Sequence, residues 1–146
     1  MKKMLLFFCC VALILTGCQK SRTTDTWSTE FETHEEKIAF FEKYVDCPSE
    51  VVDTEFHIFY HDNGRLGPSD WWIRAAIKIT PGELSKWTVD MDEVEEERID
   101  TDWWSKLNIQ DWDLTGEPLY YKSPVRRSYL AVYEKQGIIL KYIERY

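Results

Sequence analysis

Residues Ile138 to Ile143 read IILKYI, with Ile138, Ile139, Leu140, Tyr142 and Ile143 apolar at both even and odd positions. Successive side chains of a strand point to opposite faces, so a strand apolar on both sides is buried on both. This segment demands a central place in a sheet, with a further strand on each side. Ser128–Tyr133 precedes it. Glu134-Lys135-Gln136-Gly137 between them fits a four-residue hairpin loop, and Gly137 suits its left-handed position.

The upstream strands alternate in the ordinary half-buried way. In Val52–Tyr60, Phe56, Ile58 and Tyr60 share one face, while Glu55, His57, Phe59 and the following His61 share the other. Ile73, Ala75, Ile77 and Ile79 lie opposite Arg74, Ala76 and Lys78. Leu119–Lys122 adds a short strand. Helices open at recognisable caps. Thr33-His34-Glu35-Glu36 fits a capping box, and the helix after it buries Ile38, Phe41 and Val45, helped by Phe40 and Tyr44, until Cys47-Pro48 ends it. Thr80-Pro81-Gly82-Glu83 is a second start, with Pro at the first helical position and Leu84 and Trp87 as anchors. Thr101-Asp102-Trp103-Trp104 caps a short third helix through Leu107. The acid-rich stretch Asp90–Asp102 reads as a solvated loop or ragged helix. Strands joined by short loops imply an α+β domain: a mostly antiparallel sheet of about five strands, with two or three helices packed on one face. No internal repeat is visible, and 146 residues suit one domain, placed at 33–146.

The N-terminus is not part of that domain. Lys2 and Lys3 precede Met4–Leu15, an unbroken apolar run far shorter than the roughly 20 residues a membrane span needs. Leu15-Thr16-Gly17-Cys18 follows, and residues 1 to 18 resemble the lipobox signal of bacterial lipoproteins. The resemblance implies cleavage before Cys18 and a diacylglyceryl group on its sulfur. Gly17 fits the small cleavage pocket. Gln19 in place of Asp implies outer-membrane sorting, facing the periplasm, in a Gram-negative host. A Gram-positive host would hold the chain on the outer face of its single membrane. The lipid on Cys18 makes the membrane a partner, because two or more acyl chains anchor stably where one is marginal. Residues 18–32, polar apart from Trp27 and Phe31, read as the lipidated cysteine and a tether, spanning roughly 20 Å as a flexible coil. Trp27 and Phe31 are the residues of it that would dock on the domain.

Removal of residues 1–17 takes away Lys2 and Lys3 and no acid, so the net charge moves from −8 to −8 − 2 = −10. An acidic domain repels nucleic acid and anionic headgroups as a whole, and favours basic or neutral partners. Of four cysteines, Cys9 and Cys10 leave with the signal and Cys18 carries lipid. Cys47 stays alone, so no disulfide forms within the mature chain.

Candidate chemistry is sparse. His57 and His61 are four residues apart on a strand, roughly 13 Å, too far to share a metal. On a half-exposed strand face they are ordinary surface residues, and His34, in the first turn of a helix, has no evident partner. The acidic run lacks the glycine and ligand spacing of a calcium loop. Cys47 follows a helix rather than opening one and reads as a small hydrophobe. Ser49 and Ser69 have no nucleophile-elbow motif. No metal, cofactor or catalytic set is predicted. The stretch HDNGRLGPSDWW, joining two strands, is longer than a minimal hairpin needs. Asp62-Asn63-Gly64 and Gly67-Pro68 make turns. His61, Asp62, Asn63, Arg65, Asp70, Trp71 and Trp72 are its candidate binding residues, with Trp71 and Trp72 on opposite faces. Core packing is expected for at least four of the seven tryptophans.

Three function classes follow. The first is a non-enzymatic envelope lipoprotein binding another protein in an accessory, inhibitor or immunity-type role. The second is a glycan- or peptidoglycan-binding module that uses the aromatic residues. The third is an envelope hydrolase using Asp62, Asp70 or His61.

Overall fold

The computed structural model describes residues 23–62, 69–95 and 102–145. They form one antiparallel sheet of seven strands: β1 (Thr23–Trp27), β2 (Asp53–His61), β3 (Asp70–Lys78), β4 (Asp92–Val94), β5 (Leu119–Lys122), β6 (Ser128–Tyr133) and β7 (Ile138–Arg145). Their spatial order is β1-β2-β3-β7-β6-β5-β4. The two-sided apolar strand, β7, is the fourth of seven, flanked by β3 and β6. Ile77 pairs with Ile139 and Ala76 with Leu140 across the β3–β7 ladder.

The sheet has two strands more than the five expected, and both are edges. β1 lies in the segment read as tether, and β4 in the acidic stretch read as loop or ragged helix. Neither TTDTW nor DEV alternates apolar and polar residues. Their place is set by the open backbone groups of β2 and β5, which they pair, and by the polar residues an edge tolerates.

The covering elements also differ from expectation, because they occupy both faces. One α-helix, α1 (His34–Phe41), and a 3-10 turn at Pro81–Lys86 lie over the first face, which carries Phe56, Ile73, Ala75, Ile77 and Ile139. A 3-10 turn at Asp102–Lys106 and the chain through Leu114 cover part of the second face. There Trp103, Leu107 and Ile109 pack with Ala76, Tyr120, Ile138 and Leu140. The reason is alternation: β7 is apolar on both sides and Ala76 of β3 is buried on the second face beside it, so both sides must be dry at the sheet centre. Thr33 caps α1 as expected, its Oγ1 accepting from Glu36 N at 3.2 Å. The helix ends at Phe41, earlier than Cys47-Pro48, and continues to Val45 as turns.

A buried polar network ties α1 to the part of β2 that β1 leaves unpaired. Lys37 Nζ donates to Glu55 Oε1 at 2.6 Å and lies 3.0 Å from Asp53, while Ser28 Oγ donates to Glu55 Oε2 at 2.5 Å. Burial acts to lower the Lys37 pKa, but its bonds to Glu55 and Asp53 outweigh it and raise the value. His34, expected to lack a partner, has its Nε2 2.8 Å from the Val52 carbonyl oxygen.

Two stability tests follow. Gly137 has φ +65°, and a Cβ there would sit 2.3 Å from the Ile79 carbonyl oxygen. Gly137→Ala should therefore cost about 2 kcal/mol or more in urea unfolding, and an unchanged midpoint would contradict this geometry. Lys37→Ala leaves Glu55 buried and uncompensated, and should cost about 3 kcal/mol. Because the Lys37 pKa is raised, its contribution is complete below the ordinary lysine range and is lost as the pH climbs through it. The gap between wild type and variant should close at strongly alkaline pH.

Candidate functional site

The strands align so that one end of the sheet gathers the candidate residues. Thr23, which begins β1, pairs with His61, which ends β2, and His61 pairs with Asp70, which begins β3. At this near end, Trp71 pairs with Arg145, and Glu144 N donates to the Arg127 carbonyl at 3.0 Å, bringing in the Ser123–Arg127 turn between β5 and β6. The turns after α1 end here too. Together they frame a cleft of about 720 Å³ on the first face.

Aromatic and charged groups line this cleft. Tyr44 and Trp71 face it with Asp46, Arg126, Lys141 and Glu144. Lys141 is the single charged residue within IILKYI, and alternation aims it at the first face beside Ile139 and Ile143. Its Nζ lies 5.2 Å from the centre of the Trp87 ring, where the ring's negative face compensates part of the lost hydration. Burial lowers its pKa, Cys47 and Asp46 oppose this, and Arg126 adds to it. Arg127 pairs with Glu144 at 3.3 Å. Among the described residues, no carboxylate lies within ion-pairing distance of Arg126.

The predicted loop divides on folding. Trp71 lines the cleft, whereas Trp72 lies on the second face, stacked on Phe59 with ring centres 4.0 Å apart. His61 Nδ1 is 2.8 Å from Thr23 Oγ1, so it fastens the start of β1. Asp62 follows β2 and Asp70 opens β3 at the same end. Asn63 and Arg65 lie outside the described residues. Arg126 and Lys141 are not among the residues the sequence singles out, and Tyr44, expected to help bury the helix, is instead exposed at the cleft. The legible signals were a lysine inside a two-sided apolar strand and adjacent arginines in a hairpin turn.

The second face carries a row of rings and cations. His57 stacks on Trp27 at 3.9 Å and meets Asp25 at 2.7 Å, while Arg74 lies 5.5 Å from the Trp72 ring centre and 5.6 Å from that of Tyr142. His57 is thus buried, against the expectation of a half-exposed residue. Trp72 is flanked by Phe59 and Arg74, so its ring is engaged within the molecule. Among the described residues, four buried nitrogens in this row have no hydrogen-bond partner: His57 Nδ1, Trp72 Nε1, Arg74 Nε and Trp103 Nε1. Six of the seven tryptophans are buried or packed on a core cluster: Trp87 and Trp103 are buried, Trp71 packs against the first cluster, and Trp27, Trp104 and Trp112 pack against the second. Among the described residues no group of three or more His, Cys, Asp or Glu side chains is placed to hold a metal ion. No described helix is long and apolar enough to cross a membrane.

Comparison with known proteins returns no match among family models, curated proteins or solved structures.

Cys47 packs against the first core cluster, and its Sγ donates to the Val45 carbonyl at 3.3 Å. Burial, with Glu42, pushes its thiol pKa up to about 11. The thiolate is the reactive form, so at pH 8 alkylation of Cys47 should be on the order of a hundredfold slower in the folded chain than in urea. Equal rates would show an exposed, unperturbed thiol.

Proposed function

We propose that this chain is a lipid-anchored lipoprotein of the bacterial cell envelope that works without catalysis, by binding another protein through the near-end cleft. The supporting observation is the cleft's composition. Tyr44, Trp71, Arg126 and Lys141 converge on one concavity held by a continuous sheet. Tyrosine, tryptophan and arginine dominate binding energy at protein interfaces, because they bury large areas and donate directed hydrogen bonds. Trp71 and Lys141 stand on paired strands, so they need little ordering on binding. The membrane anchor rests on the lipobox resemblance and Cys18.

A glycan-binding role draws on the same two rings, Tyr44 and Trp71. It gains less from the second face, whose rings stack mainly on one another.

Two measurements test this reading. Cys18→Ala should leave the signal uncut or release the chain from the membrane fraction, and an unchanged mature membrane form would refute the anchor. A photo-crosslinking amino acid at Tyr44, in the lipidated chain in its own membrane, should yield one dominant protein adduct that the same group at Gln136 does not. Adducts only to peptidoglycan fragments would favour the glycan role. Identical patterns at both positions would overturn binding at the cleft.

A further inference from the structure

We infer that the near end of the sheet rests on the lipid bilayer, with the Ser123–Arg127 turn in contact with anionic phospholipid headgroups. This rests on the lipid-anchor reading and extends it from attachment to orientation. The first argument is chain length. Four residues, Gln19 to Arg22, separate Cys18 from the first residue of β1. Five Cα–Cα steps reach at most about 18 Å. β1 is held in the sheet over five paired residues, from Thr23↔His61 to Trp27↔His57. The end that carries Thr23 therefore stays within that distance of the Cys18 Cα, and the folded domain cannot lift away on a long tether.

The second argument is what that end exposes. Tyr44, Val52, Tyr60, Val89 and Val125 are the exposed large hydrophobic residues among those described, and Tyr44, Tyr60 and Val125 are at the near end. Val125 is 84% exposed at the tip of its turn. Tyr60 pairs with Thr24, one residue into β1. Aliphatic and tyrosine side chains suit the boundary between headgroups and acyl chains.

The third argument is charge. Arg126 follows Val125 directly and has no carboxylate within ion-pairing distance among the described residues. Arg127 is beside it. The nearest acids of the cleft are Asp46 and Glu144, and Glu144 is engaged by Arg127. A guanidinium is the side chain best shaped for a phosphate. In a mature chain of net charge −8 − 2 = −10, Arg126 directs the Ser123–Arg127 turn, which β7 separates from Asp62 and Asp70 at the same end, toward an anionic surface while the whole body is repelled. The cleft then opens at headgroup level, where a membrane-embedded partner presents its own surface.

The test uses the lipidated chain purified from membranes, with Val125→Cys or Gln136→Cys labelled by a polarity-sensitive dye. Both variants also carry Cys47→Ser, so that the dye reports the introduced cysteine alone. The chain is placed in phosphatidylcholine vesicles with or without phosphatidylglycerol. With phosphatidylglycerol, nitroxide-labelled lipids should quench the dye at 125 at least about twofold more than at 136, and Arg126→Glu should abolish the difference while Arg126→Lys keeps part of it. Vesicle-bound chain with equal quenching at both sites overturns the orientation and leaves the anchor standing. Chain that does not float with vesicles overturns the anchor, and this inference with it. Quenching that ignores Arg126→Glu overturns the headgroup contact.

Discussion

The pairing of β3 with β7 organises this molecule. Eight residue pairs run from Trp71↔Arg145 to Lys78↔Ile138. Along them Ala75, Ile77 and Ile139 bury one face, and Ala76, Ile138 and Leu140 bury the other. A strand pair that buries apolar residues on both sides cannot be covered by a single layer of helix. The chain meets this with α1 and the Pro81–Lys86 turn on one side, and with the Asp102–Leu114 segment on the other.

Polar groups enter this frame where the covers end. Lys37, Asp53, Glu55 and Ser28 close the part of β2 that β1 leaves unpaired, in a network whose members neutralise and hydrogen-bond one another. Lys141 is the second intrusion, and it differs in kind. Its compensation comes from the Trp87 ring and distant acids rather than a salt bridge, and it borders open solvent in the cleft. Local rules are broken most often where a protein binds or acts. This is why the cleft, and not the ion-pair network or the engaged rings of the second face, carries the functional reading.

The legibility of the chain followed the strength of its periodicity. β2, β3, β5, β6 and β7 announce themselves by alternation or by continuous apolar runs, and their observed bounds lie within two residues of those read from sequence, except that β3 begins at Asp70, three residues before Ile73, and so takes Asp70, Trp71 and Trp72 out of the connecting stretch. β1 and β4 carry no such pattern. Thr23–Trp27 and Asp92–Val94 become strands because neighbouring edges offer unpaired backbone groups, and that offer exists only after the sheet has formed. The opening loop shows the same division. That Trp71 and Trp72 oppose one another follows from strand geometry. That Trp71 lines one cleft with Arg126 and Tyr44, residues far away along the chain, does not.

By itself the sequence determined the two-sided central strand, the Gly137 hairpin, the Thr33 cap, and the α+β class with a mostly antiparallel sheet. Each depends on residues within a few positions of one another, where sterics and alternation act directly. The tertiary structure decided the rest: seven strands rather than five, covers on both faces, the burial of His57 between Trp27 and Trp72, and the shared end at which Thr23, Trp71 and Arg126 meet. These depend on which edges find each other in space. Edge pairing is made by backbone hydrogen bonds that every residue but proline can supply, so the side chains leave little local trace of it.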